Sequence, residues 1–211
     1  YKFNEDADPH KAYPTAMYAW LLKWEGETCK AIRVPELDNF MTYKGTSIRV
    51  GHSSDGIRFF TAVPVDTLNQ AMKGTLLTGE LEGYKLVEMG TLYKWAATGT
   101  ELTVANGAKS YVYGGSAGSN YRQFSKEGNL SWFTGMLTEL PGDAATLAKD
   151  ILSRPYAVFE NADGDQITLY GGSIQRSIYY VALQNKDTWA SGTAYDNYVE
   201  KIISTVEAAK G

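Results

Sequence analysis

Aromatic, amide and guanidinium side chains gather around one glycine-rich loop of this sequence. Residues 114–120 read Gly-Gly-Ser-Ala-Gly-Ser-Asn, the longest Gly/Ser-rich stretch in the chain. A tyrosine ring has a flat apolar face and a polar tip, which suits stacking on a sugar ring. Amides and guanidinium groups can hydrogen-bond to hydroxyls. The candidate ligand-binding residues around the loop are Tyr111, Tyr113, Asn120, Tyr121, Arg122 and Gln123.

Two tryptophans are predicted to flank this loop from neighbouring strands. Under the two-residue period of a strand, Trp95 and Trp132 each lie opposite the Leu or Phe assigned to the core, and they complete the predicted site. Trp20, Trp24 and Trp189 are secondary candidates. In the alternative interpretation, the loop is an ordinary surface connection and its tyrosines pack on the sheet. The sequence does not decide between these two interpretations.

Residues suited to catalysis are few. Nucleophilic catalysis needs a Ser or Cys beside a usable base, and the only histidines are His10, in a polar lead-in, and His52, in a turn. Both are predicted to be solvated, and they do not support a His-rich zinc site. Paired carboxylates could hydrolyse glycosides, yet any chain with 24 acidic residues offers such pairs. We therefore predict no enzyme, no catalytic residues and no metal site.

The segment Asn-Ala-Asp-Gly-Asp at 161–165 resembles the start of a calcium loop. An EF-hand loop needs a Glu at its twelfth position, which here is Gly172. A hairpin turn explains the same residues, and a looser calcium loop is the alternative. No other cofactor is expected, because the glycine-rich loop lacks the lysine of a phosphate-binding loop.

Composition and charge exclude several partners. The net charge of −4 and the pI near 5.3 argue against nucleic acid, which needs a basic surface. The longest apolar stretch near the start, residues 16–22, is too short to span a bilayer. Without an initiator Met or a signal peptide, the sequence favours a piece of a longer precursor. The single cysteine, Cys29, excludes an internal disulfide and is expected to be buried.

Hydrophobic periodicity predicts many short strands and a few helices. Asp-Gly turns predict one hairpin between the strands at 46–50 and 56–63 and another between the strands at 156–160 and 166–170. A glycine within a strand predicts a kink. Residues 13–24 are compatible with either a helix or a strand. The predicted strands are 31–34, 46–50, 56–63, 84–95 (kinked at Gly90), 129–140, 156–160 and 166–170, and the predicted helices are 66–72, 144–152, 174–183 and 195–209.

Six short blocks in order resemble a module repeated in secreted and wall-attached proteins of gut and rumen Firmicutes. The blocks are Ser-Ile-Arg-Val at 47–50, Gly-Ile-Arg-Phe at 56–59, Glu-Met-Gly-Thr-Leu at 88–92, Leu-Thr-Glu-Leu-Pro at 137–141, Tyr156 with Ala-Asp-Gly at 162–164, and Arg-Ser-Ile-Tyr-Tyr-Val-Ala at 176–182. The resemblance covers about residues 47–183. Such modules occur beside glycan-degrading or cellulosome-like components, so it implies an extracellular or cell-surface setting and a carbohydrate partner. It carries over no site residues.

We predict a lead-in at residues 1–12 and a single domain at 13–211. The expected fold is mainly β, an antiparallel β-sandwich-like architecture with a few short helices and a C-terminal amphipathic helix; an α+β fold is the alternative. The expected function is non-catalytic binding of a plant or dietary polysaccharide. A structural or adhesion module that contacts a protein or spaces other domains of the same precursor is the alternative, and a glycan-active enzyme is a third. Exposed rows of Trp or Tyr favour the first, whereas burial of nearly all five Trp favours the second.

Overall fold

The computed structural model of the chain describes residues 17–51, 54–97, 101–115 and 125–211. Eleven strands in these ranges form three antiparallel sheets. The strands are β1 (Trp20–Glu25), β2 (Thr28–Arg33), β3 (Thr42–Arg49), β4 (Gly56–Pro64), β5 (Lys85–Trp95), β6 (Ala108–Tyr113), β7 (Ser125–Glu127), β8 (Leu130–Thr138), β9 (Ile151–Glu160), β10 (Gln166–Tyr170) and β11 (Ile174–Arg176). The helices are α1 (Val65–Lys73), α2 (Ala144–Ala148), α3 (Ile178–Gln184) and α4 (Ala194–Ala208).

Two of the sheets pack against each other as a sandwich. One has the strand order β3-β4-β8-β7, and the other has the order β10-β9-β5-β6 with β11 beside β9. On β4, the side chains of Ile57, Phe59, Thr61 and Val63 are all buried, as a two-residue period requires of the inner face of a sandwich. The predicted fold class, mainly β and sandwich-like with a few short helices and a C-terminal helix, is confirmed.

The predicted hairpins are confirmed by their pairing. β3 pairs with β4, and β9 pairs with β10 across the predicted turn. In that turn, the Asn161 side-chain oxygen accepts hydrogen bonds from the amides of Asp163 (3.0 Å) and Asp165 (2.8 Å), and Gly164 adopts a φ of 86°. The predicted kink at Gly90 corresponds to a register shift between Met89 and Gly90 opposite β6.

The interior consists of two main clusters at opposite ends of the sandwich. The first contains Phe133 and Phe159 from the two sheets together with Leu68 and Ala71 of α1. The second is closed by α2, α3 and α4. Thr193 is the N-cap of helix α4, and its side chain accepts a hydrogen bond from the amide of Asp196. The helix buries Val199, Ile202 and Val206. Burying such aliphatic side chains contributes roughly 1.5–3 kcal/mol each.

Two predicted helices are partly wrong. The helix predicted at 144–152 ends at Ala148, and Ile151 begins β9 instead, because Ile151 and Leu152 alternate between the two faces of a sheet. Asp143 caps this helix as its sequence position suggests. The helix predicted at 174–183 starts only at Ile178, where Ser177 caps it, and Ile174–Arg176 forms β11. Strand β6 was not predicted, because Val112 is its only buried side chain.

The third sheet is the two-stranded hairpin of β1 and β2, which we call the arm. Within the ambiguous segment 13–24, residues 20–24 belong to a strand, β1 (Trp20–Glu25), and residues 13–16 lie outside the described residues. Gly26, with φ 64°, occupies the first position of its two-residue turn, as a type II′ turn requires. Nearly all of its residues are exposed, so the arm projects from the sandwich. No helix in the described ranges is long and apolar enough to cross a bilayer.

The two sheets approach each other closely at Gly135 on β8. A Cβ atom there would stand 1.7 Å from the Tyr93 hydroxyl and 2.6 Å from Cβ of Thr91, and both residues are buried. We expect Gly135→Ala to lower the free energy of unfolding by about 1–3 kcal/mol, the usual cost of overpacking. Tyr93→Phe should restore part of that loss, because it removes the nearest atom. Urea unfolding measures both changes.

Gly142→Ala is the control for this prediction, because no atom lies within 4 Å of the added Cβ. A Gly135→Ala chain as stable as the Gly142→Ala chain would show that the sheets lie further apart than described.

Candidate functional site

Of the residues predicted around the glycine-rich loop, Tyr111 and Tyr113 are described, and their rings pack against different neighbours. Asn120, Tyr121, Arg122 and Gln123 lie outside the described residues. Tyr111 pairs with Gly90 on the outer face of the five-stranded sheet, and its ring packs against Gly115, where a Cβ would lie 2.1 Å from Cε1. The Tyr113 ring packs against the first interior cluster instead.

The outer face of the five-stranded sheet is filled by the chain itself. Tyr156 is fully buried and donates a hydrogen bond to Glu88 (2.8 Å), which also pairs with Lys109 (2.8 Å). Burial and the Glu88 carboxylate raise the pKa of the Tyr156 hydroxyl, and the hydrogen bond to Glu88 raises the pKa of Lys109. Leu102 covers Tyr156 from the loop between β5 and β6. Tyr111 lies on the same face, where the Lys109 ammonium is 5.6 Å from its ring centroid.

Trp95 and Trp132 lie on different parts of the sandwich. Trp95 ends β5, with the Lys149 ammonium 5.3 Å from the ring centroid. Trp132 lies on the outer face of the four-stranded sheet, opposite the buried Phe133 as predicted. Tyr111 belongs to the outer face of the other sheet, so Trp132 and Tyr111 are separated by the sandwich.

None of the five tryptophans is buried. Trp20 (56% exposed), Trp24 (69%), Trp95 (38%) and Trp189 (54%) are exposed, and Trp132 is half-buried. Tryptophan is highly buried on average in folded proteins, and exposed aromatic patches mark interaction sites. A spacer domain with an inert surface predicts the opposite.

Aromatic side chains form a row on the outer face of the four-stranded sheet. Trp132 and Phe60 are diagonal neighbours on β8 and β4, a relation that puts such residues roughly 7–8 Å apart. The Arg58 guanidinium lies 5.5 Å from the Phe60 ring centroid and is oriented by Ser47 Oγ, which accepts from Nε at 3.2 Å.

The row continues onto the residues that precede and begin α4. The Trp189 ring packs on the Tyr195 ring with centroids 4.7 Å apart, and the Tyr195 hydroxyl donates to Asn185 Oδ1 at 3.1 Å. Burial raises the pKa of the Tyr195 hydroxyl, while Trp189 and the positive charge of Arg58 oppose the shift. Ile48 links the two groups: its carbonyl accepts a hydrogen bond from Arg58 Nη2 at 3.3 Å, and its backbone also lowers the pKa of the Tyr195 hydroxyl.

We call this surface the sheet-face row, defined by four aromatic residues and two polar ones. Its members are Trp132, Phe60, Arg58, Tyr195, Asn185 and Trp189. The sequence prediction contained only Trp132, with Trp189 as a secondary candidate. Arg58 and Phe60 alternate with the buried Ile57 and Phe59, so the two-residue period placed them on the outer face, but nothing local links them to Tyr195.

A second aromatic row lies on the arm. Trp20, Leu22 and Trp24 occupy alternate positions of β1 and are all exposed, as is Tyr18 just before the strand. Cys29 faces Trp24 across the hairpin and is also exposed. The prediction that Cys29 is buried is therefore wrong, because its strand belongs to the projecting arm rather than to the sandwich.

Arg33 and Asp38 form an ion pair beside Tyr18 and Trp20, at the start of this second row. The Arg33 guanidinium lies 5.2 Å from the Tyr18 ring centroid and 5.6 Å from that of Trp20. It forms an ion pair with Asp38 and donates to the Ala19 carbonyl at 2.9 Å. The hydrogen bond between the two side chains lowers the pKa of Asp38 and raises that of Arg33.

A shallow cleft of about 370 Å³ lies between α4 and the ends of β4 and β8, lined by Asp55, Glu139, Tyr198 and Lys201. Glu139 is exposed, whereas a general acid for glycoside hydrolysis needs apolar surroundings. In the described part of the chain, no three His, Cys, Asp or Glu side chains come together as metal ligands. His10 and His52 lie outside the described residues. That the chain is not an enzyme stays a prediction.

No protein-family model matches the chain. Comparison with curated proteins and with solved structures also found no match.

Because no tryptophan is buried, we expect acrylamide to quench almost all of the tryptophan fluorescence of the folded chain. Trp132 is the least accessible, since its indole N–H is buried and has no hydrogen-bond partner in the described part of the chain. Trp132→Phe should bring the accessible fraction to that of the urea-unfolded chain. An inaccessible fraction that survives this substitution would contradict the described exposure.

The ion pair at the base of the arm predicts an acid titration. Asp38 accepts a hydrogen bond from the Ala19 amide at 2.9 Å, so the NMR shift of that amide should report its ionisation with a midpoint below the ordinary Asp pKa of about 3.9. Because the folded-state pKa is lowered, the pair stabilises the arm above that value and is lost as the pH falls through the folded pKa. Asp38→Asn should abolish the titration; a midpoint at or above the ordinary value would contradict the pairing.

Proposed function

We propose that the chain is a non-catalytic carbohydrate-binding module that holds a polysaccharide on the sheet-face row. The observation that carries the proposal is the sequence of flat aromatic faces, from Trp132 through Phe60 to Tyr195 and Trp189, interrupted by Arg58. Aromatic rings offer apolar area with little loss of conformational freedom.

Polar groups beside the rings can form the hydrogen bonds to sugar hydroxyls that stacking alone does not provide. Arg58 is held by Ser47 and by the Ile48 carbonyl (3.3 Å), and Asn185 is held by Tyr195 and by the Val181 carbonyl (2.7 Å). Side chains fixed in this way are preorganised, so a ligand that hydrogen-bonds to them orders little. A guanidinium and an amide between aromatic faces suit the hydroxyl groups around a sugar ring.

The proposal also includes the location of the chain and the class of its ligand. The resemblance to modules of secreted and wall-attached Firmicutes proteins supports an extracellular or cell-surface location and a plant or dietary polysaccharide. A role as an adhesion module that contacts a protein partner is the alternative, and the apolar row on the arm favours it for that surface alone. The two surfaces lie on different sheets, so the chain can have both roles.

The test is affinity electrophoresis and pull-down against cellulose, xylan, glucomannan, β-glucan, pectin and starch. We expect retardation by at least one of them. Trp189→Ala should weaken it roughly thirtyfold or more, the factor that corresponds to about 2 kcal/mol for a central aromatic contact, and Trp132→Ala should act in the same direction.

Trp95→Ala and Trp24→Ala are the matched controls, because both remove an exposed tryptophan outside the sheet-face row. They should leave the retardation unchanged. Loss of binding in a control but not in Trp189→Ala would show that the binding site lies outside the sheet-face row. Absence of retardation by every polysaccharide would reject the proposal.

A further inference from the structure

The arm is a two-stranded ribbon that leaves one apolar face without a partner in the described part of the chain. A ribbon of two strands is marginal in water unless a third strand or a packing surface supports it. On one side, Lys23 and Lys30 reach Glu80 at 3.3 and 4.0 Å. These contacts attach that side of the ribbon to the turn at Gly79–Leu81. The opposite side of the ribbon faces outward.

The outward face is almost purely apolar. Trp20, Leu22 and Trp24 lie on it from β1, and their cross-strand neighbours Arg33, Ala31 and Cys29 lie on it from β2. The face carries no amide or carboxylate side chain that could fix sugar hydroxyls. Its one charge, Arg33, is compensated by Asp38, so a second apolar surface can cover the face without burying an unpaired charge.

We propose that this face binds the same face of a second copy of the chain, related by a two-fold axis. An isologous contact requires a self-complementary patch, and an apolar patch with no net charge of its own meets that requirement. Leu22 lies between the two tryptophans on β1, opposite the small Ala31, so a two-fold axis at this centre brings the Leu22 side chains of the two copies near each other.

The exposed area comes close to the size that such a contact needs. Tyr18, Trp20 and Trp24 are 56–69% exposed, and aromatic side chains of 150–250 Å² each then offer roughly 300–450 Å² per copy. Two copies together cover roughly 600–900 Å² before Leu22 and Ala31 are counted. That approaches the total of about 1,000 Å² expected of a biological interface.

Sedimentation velocity over low micromolar to sub-millimolar concentration tests the proposal with Leu22→Lys and Leu22→Glu. The unchanged chain should shift from 23.2 kDa to twice that mass. Each variant alone should associate at least about tenfold more weakly, because two like charges meet near the axis. An equal mixture of the two variants should regain association, since a two-fold contact then brings Lys opposite Glu.

Leu183→Lys is the matched control, because Leu183 is an exposed apolar residue outside the arm; it should associate like the unchanged chain. An unchanged chain that stays monomeric throughout, a dimer indifferent to Leu22→Lys, or a mixture that stays monomeric would each overturn the proposal.

Cys29 gives an independent readout, because it is the chain's only cysteine and faces Trp24 on the proposed interface. Its alkylation by iodoacetamide should slow as the protein concentration rises through the association range, and Leu22→Lys should keep it fast. Alkylation that is equally fast in monomer and dimer would place the dimer contact elsewhere and overturn the proposal. Polysaccharide binding by the sheet-face row is measured separately and does not depend on this outcome.

Discussion

The close contact between β5 and β8 is the constraint on which the architecture depends. Gly135 lets the Tyr93 hydroxyl and Thr91 approach the backbone of the opposite sheet, which sets the separation of the sheets at that point. Beyond this contact, α1 and the helices α2 to α4 complete the two interior clusters at opposite ends. The inner faces are therefore closed to solvent, and interaction with other molecules falls to the outer surfaces.

The two outer faces of the sandwich differ because of what the chain places on them. The five-stranded sheet is covered by the loop that carries Leu102 and by the Glu88, Lys109 and Tyr156 network. On the four-stranded sheet, the described elements leave Phe60 and Trp132 half-exposed. Tyr156 on the first face is buried within the fold, whereas Phe60 and Trp132 on the second remain partly exposed.

The sequence predicts those parts of the fold in which local pattern and tertiary environment agree. The alternation of Ile57, Phe59, Thr61 and Val63 identifies an inner face, and the Asp-Gly turn identifies a hairpin. Segment 144–152 fails because Leu147, Ile151 and Leu152 fit a helical spacing equally well, and only pairing with β5 selects a strand for the last two.

The candidate site was harder to predict for a different physical reason. Trp132 could be assigned to an outer face from its own strand. Its relation to Tyr195 and Trp189 depends on the way α4 packs against β3 and the second interior cluster, and a one-dimensional pattern carries no such information. The exposure of Cys29 was missed for the same reason, since the sequence does not reveal that its strand projects from the body.

The connection between α3 and α4 makes the C-terminal helix a separable piece. Residues 186–194 are exposed throughout, whereas Val199, Ile202 and Val206 are buried in the second interior cluster. A trypsin cut after Lys186 would therefore leave a C-terminal peptide held by non-covalent contacts, which are the packing of α4 and hydrogen bonds such as that from Tyr195 to Asn185. The chain thus offers a natural point for division into two fragments that reassemble, and their recombination would report on the integrity of that end of the sandwich.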